Sequence, residues 1–209
     1  MVVAFVSQKG GVGKSTLARA LAREAATAKL RVKIADLDTQ QGTAVDWHRQ
    51  RLNAGIEPIV PVEAFDTAKR ALEVVGIYDL LVIDGPARTS KATLEIARAA
   101  DLVVQPTGAS ADDLRPAVRE FHALQQAGIS SEKLVFALNR IGTEAEEQDT
   151  RDYIIEAGYI TLPGSLPERP AYRQAQNVGY AVTETRFQRL NDRANTLIQA
   201  LIDRIVVDA

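Results

Sequence analysis

The stretch that most constrains this 209-residue chain is Lys9-Gly10-Gly11-Val12-Gly13-Lys14-Ser15-Thr16. An apolar, β-branched run, VVAFVS (2–7), precedes it, and a helical pattern, STLARALAREAATA, follows. Glycines at a strand-to-helix junction let the backbone turn back, so that successive N–H groups converge on phosphate oxygens. The N-terminus of the helix adds its dipole. Lys14 can then reach the β- and γ-phosphates of a nucleotide, and the Ser15 hydroxyl can ligate Mg2+. The common pattern G-x-x-x-x-G-K-[ST] requires glycine at position 8, where this chain has Gln8. What remains is K-G-G-x-G-K-[ST]-[ST], with an additional lysine, Lys9, at its front.

The rest of the chain keeps the same rhythm. RVKIADLD (31–38) precedes a helical segment around AVDWHRQRLN, and a weaker extended run, PIVPV (58–62), precedes DTAKRALEVV. DLLVIDG (79–85) leads into KATLEIARAA, and DLVVQPT (101–107) into a helix over 112–127. KLVFALNR (133–140) leads into EAEEQDTRDYIIEAG, and the short ITLP (160–163) closes the series. Short apolar strands alternating with helices imply βαβ crossovers: an α/β fold with a mostly parallel central sheet and helices on both faces. Near-continuous hydrophobicity at 80–83 and 101–104 implies strands covered on both sides. No repeat or linker breaks the pattern, so residues 1–209 read as a single α/β domain built on the phosphate loop. A last helix over about 184–206 places Phe187, Leu190, Ala194, Leu197, Ile198, Leu201, Ile202 and Ile205 on one apolar stripe.

Composition removes competing chemistries. With no cysteine there is no disulfide framework, thiol nucleophile or thiolate-held metal. Two histidines, His48 and His122, are too few for a His-rich metal site. A net charge of −2 argues against coating nucleic acid by global charge, but leaves room for a local basic patch. No apolar run approaches the roughly 18–20 residues of a membrane span. The N-terminus lacks the basic and cleavable features of an export signal, so a cytoplasmic protein without integral membrane association is expected.

The K-G-G-x-G-K-[ST]-[ST] signature resembles that of the ParA/MinD superfamily of deviant Walker A ATPases. The likeness extends over nearly the whole chain, and is strongest to small ParA members that lack an N-terminal DNA-binding domain. With the first strand beginning at residue 2, no helix-turn-helix extension or operator-specific autoregulation is expected. The resemblance implies ATP and Mg2+ as ligands. It implies that Lys9 crosses to the nucleotide of a partner subunit in an ATP-bound homodimer, where a second ammonium stabilises charge much as an arginine finger does.

Two carboxylates, Asp36 and Asp38, end the second strand in IADLDTQQG, where ligands of open α/β sheets sit. The family pattern D-x-D-P-Q has Thr39 in place of proline here. By resemblance, Asp38 orients the attacking water and Asp36 stands beside the metal; Asp38 or Thr39 can also cap the following helix. Asp84, after four apolar residues, matches a Walker B carboxylate that binds Mg2+ through water. Asn139 matches the family residue whose amide reads the adenine edge, or serves as a turn former after its strand. Leu166, Pro167 and Glu168 resemble the loop that flanks the base.

Late arginines, Arg169, Arg173, Arg186, Arg189, Arg193 and Arg204, form the candidate basic patch. Arg186, Arg189 and Arg193 recur at helical spacing, which suits a stripe on duplex phosphates. ParA-like relatives use this region for sequence-independent DNA binding. Trp47 is expected in the core under the second helix. The resulting expectation is a slow ATPase that binds nonspecific DNA as a dimer and is nucleoid-associated when ATP-bound. A ParB-like or other adaptor would stimulate it as it positions a plasmid, chromosome or other cargo. The alternatives are a MinD-like membrane-associated ATPase, or a nucleotide-dependent dimerisation switch for conjugation or protein-cluster positioning. The acidic Asp203 and Asp208 near the C-terminus oppose anionic lipid.

Overall fold

Strand side chains alternate between two apolar layers, and that alternation organises the molecule. The computed structural model describes residues 1–86 and 91–207; Asp208 lies outside them. Among these, seven strands are formed: β1 (Val2–Phe5), β2 (Val32–Asp36), β3 (Val62–Ala64), β4 (Leu80–Asp84), β5 (Leu102–Thr107), β6 (Leu134–Ile141) and β7 (Ile160–Pro167). They make one sheet in the order β3-β2-β4-β1-β5-β6-β7, and every pairing is parallel.

The helices are α1 (Lys14–Thr27), α2 (Thr43–Asn53), α3 (Ala68–Leu72), α4 (Lys91–Ala99), α5 (Ala111–Gln126), α6 (Glu144–Glu156), α7 (Pro170–Gln176) and α8 (Gln188–Val207). Val3, Phe5, Ile34, Val82 and Val104 pack with α1, α2 and α8 on one face. Val2, Ala4, Leu81, Ile83 and Val103 pack with α3, α4, α5 and α6 on the other. Both faces of the sheet are therefore dry, as a parallel sheet requires. None of the described helices is long and apolar enough to cross a membrane.

Three boundaries differ from the sequence reading. The extended run at 58–62 contributes only Val62 to β3, which continues to Ala64. Pro58 and Pro61 have no N–H to give a ladder, although the Pro61 carbonyl still accepts from Ile34 N at 2.9 Å. In the other direction, β7 runs four residues past ITLP. It does so through Gly164, whose φ of 79° and close approach to the backbone of Leu197 admit no side chain. The last helix begins at Gln188, so Phe187 precedes it and is 44% exposed rather than part of the core stripe. Arg186 likewise lies outside the helix, with its guanidinium 4.8 Å from the Phe187 ring centroid. Only Arg189 and Arg193 of the three arginines share the helix.

Helix starts show where the chain is closed and where it is left open. Thr143 and Glu146 form a reciprocal capping box on α6, and Ser110 caps α5. By contrast the N-cap residue of α1 is Gly13, and no side chain caps the helix. Its first-turn N–H groups are the orphan donors that an anion can satisfy.

Candidate nucleotide site

The carboxyl ends of β1, β2 and β4 lie in register, with Phe5 opposite Asp84 and Asp84 opposite Asp36. The chain leaves β4 through Gly85, where a Cβ would sit 2.5 Å from the Phe5 carbonyl oxygen. Above these strand ends the glycine loop and α1 bound a cleft of about 200 Å³. It is lined by Gly10, Gly11, Gly13, Lys14, Ser15, Thr16, Asp38 and Thr43, together with Arg19, Gln41 and Arg140. Gly13 has φ 114°, and a Cβ there would collide with the Asn139 carboxamide.

The two strand-end carboxylates are in different states. Asp36 is fully buried, and both its oxygens accept backbone hydrogen bonds, Oδ1 from Asp38 N at 3.0 Å and Oδ2 from Ala44 N at 3.2 Å. It therefore holds the N-terminus of α2 in place. Asp84 is also buried, and neither of its oxygens has a hydrogen-bond partner among the described residues. Burial pushes its pKa up to about 7; the Ser15 hydroxyl and the charges of Arg19 and Lys14 oppose that rise, while Asp36 adds to it. A buried carboxylate left unpaired beside a serine hydroxyl has the chemistry that a hard cation such as Mg2+ satisfies. Lys14 is buried as well, and desolvation lowers its pKa against the pull of Asp84, Asp38 and Glu120.

Other members of the site carried no sequence signal. Arg19 projects from α1, donates to the Thr43 carbonyl and to Gln176 Oε1 at 3.4 Å, and stacks 5.7 Å from the Trp47 centroid. Thr43 meets the Ser15 hydroxyl at 3.1 Å. Glu120, on the buried side of α5, accepts from Gln8 N at 2.9 Å and from Gln105 Nε2 at 3.0 Å, which anchors the entry to the loop. Lys9 is half exposed and ion-paired to Asp113 of α5 in the same chain.

Beside the cleft, Asn139, Leu166, Pro167 and Glu168 line a smaller pocket of about 80 Å³, with Tyr172 and Gln176 of α7 and Val182. Asn139 donates to the Val12 carbonyl at 2.6 Å, so its amide braces the glycine loop. Arg169 and Arg173 are exposed at the rim, and Arg173 pairs with Glu168 at 3.6 Å. Arg193 faces Glu147 at 3.7 Å and Ser165 Oγ at 3.3 Å, whereas Arg186 and Arg189 are exposed. Trp47 is buried and donates to the Tyr180 carbonyl at 3.0 Å. His48 is half-buried, with Nδ1 unpartnered among the described residues, and His122 is exposed.

Residues 3–181 match the model of the CobQ/CobB/MinD/ParA nucleotide-binding domain. The chain belongs to this family. It is 32% identical over 189 residues to the maintenance of carboxysome distribution protein A of Gloeobacter kilaueensis, covering 88% of this chain and 85% of that protein. It is 32% identical over 136 residues to the chromosome-partitioning ATPase Soj of Thermus thermophilus, covering 51% of this chain and 54% of that protein. The fold matches the septum site-determining protein MinD of Pyrococcus horikoshii, solved with Mg-ADP, at a TM-score of 0.74 and 18% identity. That alignment covers 100% of this chain and 98% of the other. The glycine loop, Asp36, Asp38, Asp84 and Asn139 all fall within the part of this chain that matches the ParA/MinD family model.

Proposed function

We propose that this chain is a ParA-type ATPase that hydrolyses Mg-ATP slowly, dimerises on ATP and positions a cargo while bound to nonspecific DNA. The observation that carries the reading is the unpaired, buried Asp84 facing Ser15 and Lys14 beneath an uncapped helix start. Backbone N–H groups of Gly10–Thr16 would cradle the phosphates, with Lys14 as their counter-charge. Ser15 and Asp84 would hold Mg2+, with Asp36 beside them fixing the start of α2. Bound there, Mg2+ would neutralise phosphate charge as it develops. Asp38, half-buried at the cleft, would orient the water that attacks the γ-phosphorus. Asn139 and Leu166–Glu168 would flank the base.

Lys9 would leave Asp113 to reach the nucleotide of a second subunit, which makes dimerisation depend on ATP. Arg169, Arg173, Arg186, Arg189 and Arg193 are the candidate phosphate contacts to duplex DNA. Arg186 and Arg189 are exposed without a carboxylate partner among the described residues, and they are the stronger pair. A ParB-like or other adaptor would stimulate hydrolysis and release the subunits. The carboxysome and chromosome relatives support a positioning role of this kind.

DNA co-sedimentation of wild type and Lys9→Ala, with ATP, ADP or no nucleotide at two salt concentrations, tests it. Binding that needs ATP, weakens with salt and disappears in Lys9→Ala is expected. Absence of DNA binding under every nucleotide, with the fold intact, overturns the DNA-tethered reading.

A further inference from the structure

Gly13, Thr16 and Arg140 border both the phosphate cleft and the smaller pocket beside it. Of the three, only Arg140 carries a charge. Two residues other than glycine have a positive φ among the described backbone, Lys29 at 66° and Arg140 at 59°. Lys29 is accounted for by its place after α1, where Lys29 N and Leu30 N turn back onto the Ala26 and Ala25 carbonyls. Arg140 lies inside β6, where no helix end calls for such a conformation.

The sheet register slips at this residue. Asn139 pairs with Leu166 and Ile141 with Pro167, which leaves Arg140 as the extra residue of a bulge. A bulge redirects one side chain out of the strand alternation. Here it turns the guanidinium toward the glycine loop, with Nη2 3.8 Å from where a Cβ on Gly11 would sit. The backbone is held there because Arg140 N donates to Asn139 Oδ1 at 3.0 Å, while Asn139 Nδ2 grips the Val12 carbonyl. Unlike Lys9 and Arg193, the Arg140 guanidinium has no carboxylate or other hydrogen-bond acceptor among the described residues. Strained backbone that aims an unpaired cation into a cleft is what a ligand-binding role requires.

We propose that Arg140 is a binding residue for the phosphate chain of a nucleoside di- or triphosphate, gripping it at the boundary between the phosphate cleft and the base pocket. The proposal rests on the nucleotide reading above. It adds a cation supplied in cis from β6, separate from Lys14 and Lys9. A planar guanidinium presents parallel N–H donors in a fixed fork that matches two phosphate oxygens, whereas an ammonium acts as a point charge.

The test is calorimetric binding of Mg-ADP, Mg-ATPγS and adenosine to wild type, Arg140→Gly and Arg140→Lys. Glycine keeps the left-handed backbone and removes the exposed side chain with its guanidinium, so the variant is expected to fold with an unchanged melting temperature. The expected result is a Kd about 10-fold weaker for both nucleotides in Arg140→Gly, with a shallower salt dependence. Arg140→Lys falls between, and adenosine binding is unchanged. Wild-type affinity for both nucleotides in Arg140→Gly overturns this proposal and leaves the nucleotide reading standing. Failure of wild type itself to bind either nucleotide overturns both.

Discussion

The phosphate cleft and the pocket beside it are built by opposite means. Most of the cleft comes from one contiguous segment, Gly10–Thr16, whose shape is fixed by local glycine backbone. Beyond Gly13 and Thr16, which it shares with the cleft, the pocket is assembled from the ends of β6 and β7, from α7 and from Val182, segments far apart in the chain. Their electrostatics differ as well. The cleft keeps a carboxylate without partners and a desolvated lysine, both of which a bound phosphate and cation would satisfy. In the pocket, Asn139 is already turned onto Val12 and Arg173 onto Glu168, while the unpaired Arg140 sits on the border with the cleft. A region that holds unsatisfied charge against burial is kept for a ligand, whereas a satisfied region shapes and tunes.

Away from both regions, Arg51 ties α2 to the segment 179–184, and cutting that tie has the largest expected effect. This fully buried guanidinium of α2 reaches both Glu184 oxygens, at 2.7 and 3.0 Å, and the Gly179 carbonyl at 3.0 Å. Burial alone would raise the Glu184 pKa, but hydrogen bonds from Arg51 and Ala181 N, with the charges of Arg51 and Arg23, bring it below the usual range. The sign follows: this stabilisation is present above the ordinary glutamate range and is lost as pH falls through the depressed value. Arg51→Ala leaves the largely buried Glu184 with Arg23 and Ala181 N alone, removes the donor to the Glu57, Pro58 and Gly179 carbonyls, and should cost about 3–5 kcal/mol in denaturant unfolding at pH 7, with a smaller difference at pH 3. An equal loss at both pH values would remove Glu184 from the account.

Within the cleft, Lys14→Ala should lower phosphate release at least about 100-fold. The midpoint of thermal unfolding should hold steady, because the lysine is desolvated and its removal relieves that cost. A variant that melts early would make Lys14 a structural residue and weaken the contrast between the two regions.

The same contrast decides how much was legible in advance. The α/β alternation, the strand ends and the glycine loop could be read because each is encoded locally, by period, by turn residues or by a motif of fixed spacing. The residues that complete the site could not be read that way. Arg19, Asp113 and Glu120 reach the loop through tertiary packing, across 24 residues from Thr43 for Arg19, 104 from Lys9 for Asp113 and 112 from Gln8 for Glu120. Phe187 and Arg186 were placed on a helical stripe because the period continues through them. The Thr185 hydroxyl, accepting from Phe187 N at 3.1 Å, instead delays the start of α8 to Gln188. At the smaller pocket, the place of Asn139 at a strand end was legible but not its orientation, since its carboxamide answers to Val12.

A smaller effect separates the two strand-end carboxylates. Asp84 titrates near 7 in the metal-free protein, above its unfolded value, so the fold loses stability as pH rises from about 4 to about 7 and is level beyond. Asp84→Asn should flatten that slope and stabilise the metal-free protein at pH 8 by about 1–2 kcal/mol, while the added stability conferred by Mg-nucleotide disappears. Asp36→Asn should instead destabilise the protein, because both Asp36 oxygens accept backbone N–H groups and an amide cannot accept at both positions; burial raises the Asp36 pKa as well, so its removal also flattens the pH slope. Equal stability of the two variants at pH 8 would mean that the cleft does not distinguish them.

The smallest expected effect probes the pocket directly. Asn139→Ala removes one buried hydrogen bond to the glycine loop and should cost about 1 kcal/mol of stability. It also empties the wall against Gly13 and frees Arg140 N. If the amide leaves Val12 to read the base, competition between Mg-ATP and Mg-GTP should lose about 10-fold of its preference for adenine. If it acts only as a brace, both nucleotides weaken alike and the preference stays. The comparison of ATP with GTP therefore separates recognition from support at one side chain, which the loss of stability alone would leave merged.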